Sequence, residues 1–274
     1  RSNYNTFCKI NKRWDDNMKN RNLRYQITFC VLVVVVWQIL YEMEVFPKLM
    51  FPSVMKIGGA VVDGFVKDGL GGMVCYSLSL LLRGFALGML LAFVLSGISI
   101  LSKRFYAVYN MLVSMCDLVP GVALLPLAIL WMGIGEETII FIVVHSILWP
   151  MSRSIMDGFS SVPRLYTEVG RNIGLNRFTM LTGIYIPAAF GNILSGIKVG
   201  WARAWRGLIS AEMIFGTTSA GTGIGWFIFT KRNNVDIAGV FAALLVIIGI
   251  GIIVEYGVFR FVEKHTIKKW GLRK

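Results

Sequence analysis

Apolar residues along this chain gather in bands about twenty residues long, instead of alternating with polar positions as they do on a soluble amphipathic fold. Six such bands predict six membrane-spanning helices. The first runs from Ile27 to about Phe46, with Val31 to Val36 at its centre. Trp37 and Tyr41 lie toward its far end, where amphipathic rings favour the membrane interface, and Glu42 and Glu44 mark the exit. The second covers about Met73 to Leu101, the third about Val108 to Met132, the fourth about Thr138 to Phe159, the fifth Gly183 to about Phe215 and the sixth Val235 to about Phe259. In the second, Gly84, Gly88, Ala92 and Ser96 share one helical face, where small side chains let another helix come close. Pro120 and Pro126 in the third band, and Pro187 with several glycines in the fifth, predict bends or interruptions beside protein or a cavity.

The connections differ in character. Pro47 to Gly72 is punctuated by glycine pairs and reads as an extramembrane link with one short amphipathic helix. Ser160 to Thr182 is polar against its surroundings and reads as a helix-turn-helix element. Gly216 to Asn234 places Gly221, Gly223 and Gly225 ahead of the apolar Trp226 to Phe229, the pattern of a short re-entrant or interfacial helix. Those glycines look superficially like a phosphate loop, but no lysine adjoins them and no Gly-Lys-Ser/Thr cradle occurs in the chain. Any ATP would have to bind elsewhere.

Composition sharpens the picture. Of the 274 residues 55% are hydrophobic, with 29 glycines and 8 tryptophans, and mean hydropathy is +0.65; a soluble enzyme is the minority reading. The net charge of +13 is densest at Lys9 to Arg24 and Arg260 to Lys274, directly beside apolar bands and without any nucleic-acid-binding pattern. Membrane lipid, and no nucleic acid, is therefore the expected contact of these residues. Segments 1–26, 102–108, 160–180 and 260–274 carry 18 Lys and Arg against 5 in the other three connections, which predicts that both termini are cytoplasmic. The expected organisation is a cytoplasmic segment 1–26, a six-helix domain 27–259 that includes a cytoplasmic element near 160–182, and a basic tail 260–274. Cys8, Cys30, Cys75 and Cys116 lack the spacing of a metal site or redox motif. The first band is longer than a signal-peptide core and has no convincing cleavage pattern, so it reads as a retained helix.

The polar element carries the most specific spacing. It reads Glu168-Val169-Gly170, three residues, Gly174, nine residues, then Ile184-Tyr185-Ile186-Pro187. This resembles the EAA loop of permease subunits of type I binding-protein-dependent ABC importers, with Val169 and Gly170 in place of two alanines and Ile186 in place of leucine. The resemblance extends through Leu125 to Gly135 and the Ala211-Glu212 pair, and is greatest to the permeases for nitrate, sulfonates, taurine and bicarbonate. It implies an all-α integral membrane fold of six spans with a cytoplasmic coupling helix, formed here by Glu168 to Gly174. It further implies a bacterial inner-membrane location, a second permease copy, an external solute-binding protein, and two cytoplasmic ATPases that hold ATP and Mg. This chain itself is then no enzyme and holds no cofactor or metal. Mechanically, a short helix projecting from the membrane can dock in a cleft of an ATPase and pass a rigid-body movement into the bundle. Glu168 offers a polar docking contact, Gly170 and Gly174 permit close packing, and Pro187 fixes the entry to the fifth span. Taken alone, the same segment would read as an ordinary capped loop with packing glycines.

Ionisable residues inside spans call for a functional reading, because lipid exposure is costly for them. Arg203 and Arg206, three apart in the fifth span, share a helical sector where the resembling proteins carry small or apolar residues. They predict a basic passage for a small anionic solute; the alternatives are snorkelling to headgroups or pairing with Glu212. Lys198 and Arg83 match basic positions of the family pattern and read either as pathway residues or as structural ion pairs. His145 and Trp149, four apart in the fourth span, either line a wet, aromatic-sided passage or pack through hydrogen bonds. Asp117, Asp157 and Glu255 are available to balance the basic residues. The other class of function open to six spans with intramembrane charge is an ion-coupled secondary transporter of a small anion.

Overall fold

A computed structural model describes residues 24–215 and 221–266. The basic segment before Arg24 with Cys8, the first residues of the fifth-to-sixth connection, and the tail beyond Thr266 lie outside the described residues. In order, the chain forms α1 (Arg24–Glu42), α2 (Val54–Val66), α3 (Leu70–Leu101), α4 (Lys103–Cys116), a 3-10 turn (Gly121–Leu124), α5 (Leu125–Met132) and α6 (Glu136–Ser160). It continues through α7 (Arg164–Asn172), α8 (Arg177–Met180), a π turn (Leu181–Tyr185), α9 (Ile186–Ala188), α10 (Phe190–Phe215), α11 (Ile224–Asn233), α12 (Ile237–Ile252), a second π turn (Ile253–Phe259) and α13 (Arg260–His265).

Four helical runs are long and apolar enough to cross a membrane: α1, α3, α6 and Ile237–Glu263. Two bent pairs bring the spans to six: α4 with the segment up to Met132, at 90°, and Arg177–Ala188 with α10, at 71°. Both bends fall where prolines predict them. Pro120 and Pro126 flank the 3-10 turn. Pro187 follows the π turn, whose wide winding lets the Ile186 N–H reach the Leu181 carbonyl. Helix starts follow side-chain caps: Ser53 accepts from the Lys56 N–H, Ser102 from Phe105, Asn176 from Thr179 and Asp236 from Gly239. The link after α1 contains the amphipathic helix expected there, α2, and the fifth-to-sixth connection contains the short apolar helix α11.

The bundle is built on α6, which packs against α3 on one side and α10 on the other. Gly84, Gly88, Ala92 and Ser96 are all buried, and the two glycines face α6: a Cβ on Gly84 would lie 2.6 Å from Val143, and one on Gly88 would overlap Ile147. From the opposite side, a Cβ on Gly200 of α10 would lie 2.5 Å from the same Ile147. Ile147 is thus seated between two glycine-lined helices, the close approach on which association in lipid depends. These contacts make α3 and α6 parallel and α10 antiparallel to both. One end of the bundle therefore gathers Leu101, Ser160, α7 and α8, and the other gathers Leu70, Glu136, Phe215 and α11. Trp37, expected at the membrane interface, also anchors α1: its ring stacks on Phe51 at 4.0 Å and its indole N–H donates to the Pro52 carbonyl at 3.0 Å.

Candidate functional site

A cavity of about 320 Å³ lies where the break between α4 and α5 faces α6 and α10. Irregular backbone at membrane depth is tolerated only against protein or a cavity, and both conditions hold here. The break supplies Asp117 to Val122, α6 supplies His145, Ser146, Trp149 and Pro150, and α10 supplies Arg203, Arg206, Gly207 and Ser210. At 1.5 Å per residue α6 is about 38 Å long, with His145 and Trp149 about 14 and 20 Å from its start, so the cavity sits near mid-length. Pro150, inside α6, cannot donate to the Ser146 carbonyl at the cavity wall.

Of the six residues predicted to lie along a passage, four, His145, Trp149, Arg203 and Arg206, come together on this cavity. Charge around it is unbalanced. Arg203 bonds Asp117 Oδ1 through Nη1, while Arg153 Nε lies 3.5 Å from Asp117 Oδ2. Among the described residues Arg206 engages only its own helix, donating from Nε to the Ala202 carbonyl at 3.0 Å. Two guanidinium groups thus share one carboxylate while Arg206 adds a third positive charge at the cavity wall, and the low-dielectric surroundings strengthen the resulting positive field. The pairing of Arg203 or Arg206 with Glu212, weighed above, does not occur.

Glu212 has a different assignment. It is buried, and the Ser77 hydroxyl and the Gly225 N–H donate to it. Arg83 and Lys198 lie apart from the cavity. Arg83 Nη1 meets Glu136 Oε2 at 2.9 Å, a carboxylate that also accepts from the Tyr76 hydroxyl at 2.9 Å, so the pair ties α3 to the start of α6. Lys198 Nζ lies 3.3 Å from Glu263 and 3.8 Å from Glu255, tying α10 to the end of the sixth span. Two contributors were missed in the sequence. Arg153 lies inside the fourth band and is reached by the same rule that singles out Arg203, whereas Ser77 has no distinguishing signal, since serines within spans usually serve packing.

At the opposite pole, α7 projects from the bundle with Glu168, Val169, Leu165 and Ile173 exposed. Gly170 is buried against the π turn, where an added Cβ would come 2.7 Å from Ile184 Cδ1. Gly174 does not pack as expected: nothing lies near it, and its φ of +76° shows that it terminates α7 in the left-handed conformation that glycine adopts freely. The chain enters α7 directly from α6 and returns through the π turn and Pro187 into α10. Both principal walls of the cavity are therefore attached to the two ends of one exposed element.

Residues 84–268 match the family described as the inner membrane component of binding-protein-dependent transport systems. The chain belongs to that family. It is also similar to the nitrate import permease protein of Synechocystis, 28% identical over 70% of this chain and 69% of that protein. The taurine transport system permease protein of Escherichia coli is 27% identical over 84% of each. The bicarbonate transport system permease protein of Synechococcus elongatus is 22% identical over 77% and 72%. The chain is a multi-pass permease subunit of the inner membrane with the type I fold, and an ion-coupled secondary transporter is not favoured.

Proposed function

We propose that this permease subunit forms half of the pathway of an ATP-driven importer for a small anion, of the chemical class of nitrate, bicarbonate, taurine or another sulfonate. What carries the anion reading is the mid-length cavity lined by Arg203, Arg206 and Asp117, whose one carboxylate is already shared between Arg203 and Arg153. Such a field lowers the cost of bringing an anion into a membrane protein and raises that of a cation. Three relatives that are permeases for nitrate, taurine and bicarbonate support the same class.

In this reading two copies enclose the pathway, an external binding protein delivers the solute, and two ATPases carry ATP and Mg on the cytoplasmic side. The excess of Lys and Arg in segments 1–26, 102–108, 160–180 and 260–274 supports a cytoplasmic α7 and cytoplasmic termini. Docking of an ATPase on Glu168 and the exposed apolar residues of α7 would move α6 and α10 together, because α7 joins them. ATP-driven closure of the ATPases and their reopening after hydrolysis then bias the cavity between outward and inward access, a two-state cycle.

The reading is tested on the complex isolated with its ATPase and reconstituted with its binding protein. ATP hydrolysis should be stimulated by at least one of nitrate, bicarbonate, taurine and methanesulfonate. Stimulation confined to neutral or cationic solutes would contradict it.

A further inference from the structure

The link between α1 and α3 carries more exposed apolar surface than a segment surrounded by water should. Val45, Phe46, Leu49 and Met50 are exposed ahead of α2, and Val54, Met55, Val62, Phe65 and Val66 are exposed on it. Met55 keeps 86% of its surface open and Val66 76%. Single exposed apolar side chains need no explanation, but a contiguous set of this size marks an interaction surface.

Helical period sorts α2 into three sectors. At about 100° per residue, Ile57, Ala60, Val61 and Gly64 fall within an arc of roughly 100°, and this is the face turned to the protein: Ile57 and Gly64 are buried, Ala60 and Val61 half-buried. Lys56, Asp63 and Lys67 are exposed and share a narrow polar arc of about 40°, in which Lys67 pairs with Asp63 at 2.8 Å. The remaining sector, about 140° wide, holds the five exposed apolar residues of α2 together with Gly58 and Gly59, and no polar side chain. A helix shared between protein and water needs two faces. The third, apolar and open, calls for a third surrounding.

The placement of α2 fits lipid. It starts beside Trp37, which bonds the Pro52 carbonyl and whose ring meets Phe241 edge-on at 5.0 Å, one turn inside the start of α12. It ends at the α12 cap, where Lys231 pairs with Asp68 at 2.8 Å and with Asp236 at 3.0 Å. Over a length of about 20 Å it therefore climbs only about one turn of α12, roughly 6 Å, and lies across the end of that span instead of along it. Exposed apolar residues continue on both sides, Ile39 on α1 and Leu244, Leu245 and Ile248 on α12. The open sector is thus continuous with the lipid-facing surface of two spans. The principal packing partners of α2, α12 and α3, are not walls of the cavity. A second copy facing that cavity would leave α2 on the outside of the pair.

We infer that α2 is an interfacial helix seated in the outer leaflet of the membrane, with its open apolar sector in the acyl chains and Lys56, Asp63 and Lys67 at the headgroups. The inference rests on the import reading only for the side: that reading places α7 in the cytoplasm, and α2 lies at the end of the bundle that gathers Leu70 and α11. Only three residues separate Val66 from Leu70, so a leaflet that holds α2 also fixes the depth of α3, the helix packed on α6.

Spin-label accessibility tests this on the permease–ATPase complex in nanodiscs of phosphatidylcholine, without any external binding protein. Nitroxides are attached singly at Met55→Cys, Val62→Cys, Lys56→Cys and Asp63→Cys, in a chain whose Cys8, Cys30, Cys75 and Cys116 are replaced by alanine and which still hydrolyses ATP with its partner. The ratio of collisions with oxygen to collisions with a water-soluble nickel chelate should be several-fold higher at Met55→Cys and Val62→Cys than at Lys56→Cys and Asp63→Cys. Equal ratios at all four positions would put the apolar sector in water and overturn the seat. Shielding of Met55→Cys and Val62→Cys from both reagents would overturn it too, because a protein surface, such as a second copy, would then cover the sector. Either result would leave the import reading standing. In spheroplasts, Lys56→Cys should react with a membrane-impermeant maleimide. Reaction only after lysis would overturn the outer-leaflet assignment and, with it, the cytoplasmic placement of α7 in the import reading.

Discussion

Ser77 and Glu212, 135 positions apart, meet inside the bundle: one hydroxyl proton is shared between the two carboxylate oxygens at 2.7 and 2.9 Å. Each then turns its remaining capacity on the start of α11. The Ile224 N–H donates to Ser77 Oγ at 3.0 Å and the Gly225 N–H to Glu212 Oε2 at 2.9 Å. Two side chains from α3 and α10 thereby cap a short helix whose leading N–H groups would otherwise be buried without partners.

Removing the carboxylate should loosen α11 before anything else. Glu212→Ala strands the Gly225 N–H and the Ser77 hydroxyl, at about 1–3 kcal/mol for each buried group left unmet. The glycines here are spacers: a Cβ on Gly223 would overlap the Glu212 carboxylate, and one on Gly225 would lie 2.5 Å from the Ile209 carbonyl, which is backbone and cannot swing away. Gly225→Ala should therefore lower the thermal midpoint of the purified complex markedly. Gly249→Ala, with nothing within 4 Å, should leave it unchanged or slightly raised. Equal midpoints for the two variants would reject the spacer role.

The seat of Ile147 permits a rescue experiment. Gly88→Ala drives a methyl into Ile147 Cγ2, an overpacking expected to cost about 1–3 kcal/mol. Combining it with Ile147→Ala removes Cγ2, the methyl that clashes, and the pair should cost less than the two single losses together. A double variant no better than the product of its singles would mean that the clash is relieved elsewhere, for instance against the Val144 backbone, also close to Gly88.

Asp117 is expected to matter more than its single charge implies, because it holds Arg203 and Arg153 together at the broken span. Asp117→Asn should reduce stability by about 1 kcal/mol, a modest figure since the arginine side chains are two-fifths exposed. In Arg203→Gln the same change should cost less, giving a coupling energy in the double-variant cycle. Additive losses would separate the two residues.

Sequence patterning reached most of the architecture. Banding located the spans, the small-residue stripe marked the helix face that closes on α6, and Pro120, Pro126 and Pro187 foretold both bends. The coupling spacing was legible because it is local. The cavity was legible only by halves: His145 and Trp149, and Arg203 and Arg206, pair up by helical period within one segment, but nothing local brings the two pairs to one site. Asp117 was recognisable as a spare carboxylate, yet its partners lie 86 positions away at Arg203 and on α6 at Arg153. For Arg83 and Lys198 the sequence leaves a pathway role and a structural ion pair both open, and only the nearby Glu136, Glu255 and Glu263 show them paired. Intramembrane charge is readable one residue at a time; its compensation is a tertiary property.

The link before α12 should respond to acid. Burial works to raise the Asp236 carboxyl, but the Gly239 N–H and the Lys231 ammonium outweigh it and hold the group below its ordinary value of 3.8. A carboxyl lowered on folding stabilises the fold fully above its unfolded value, and that contribution fades as pH falls through the lower folded value. The native chain should thus exceed Asp236→Ala by about 1 kcal/mol at pH 7, as lost caps do. Thermal midpoints should converge only well below pH 3.8. A gap that instead widens with acid would reverse the sign.

Uptake into sealed vesicles tests the central claim most directly: this chain with its ATPase inside and the binding protein outside, supplied with labelled nitrate, bicarbonate, taurine or methanesulfonate. Accumulation of at least one anion should require ATP, and Glu168→Lys, which alters an exposed side chain of α7, should abolish it while leaving assembly of the permease bundle intact. Anion accumulation driven by an ion gradient through this chain alone, without ATPase or ATP, would contradict the account.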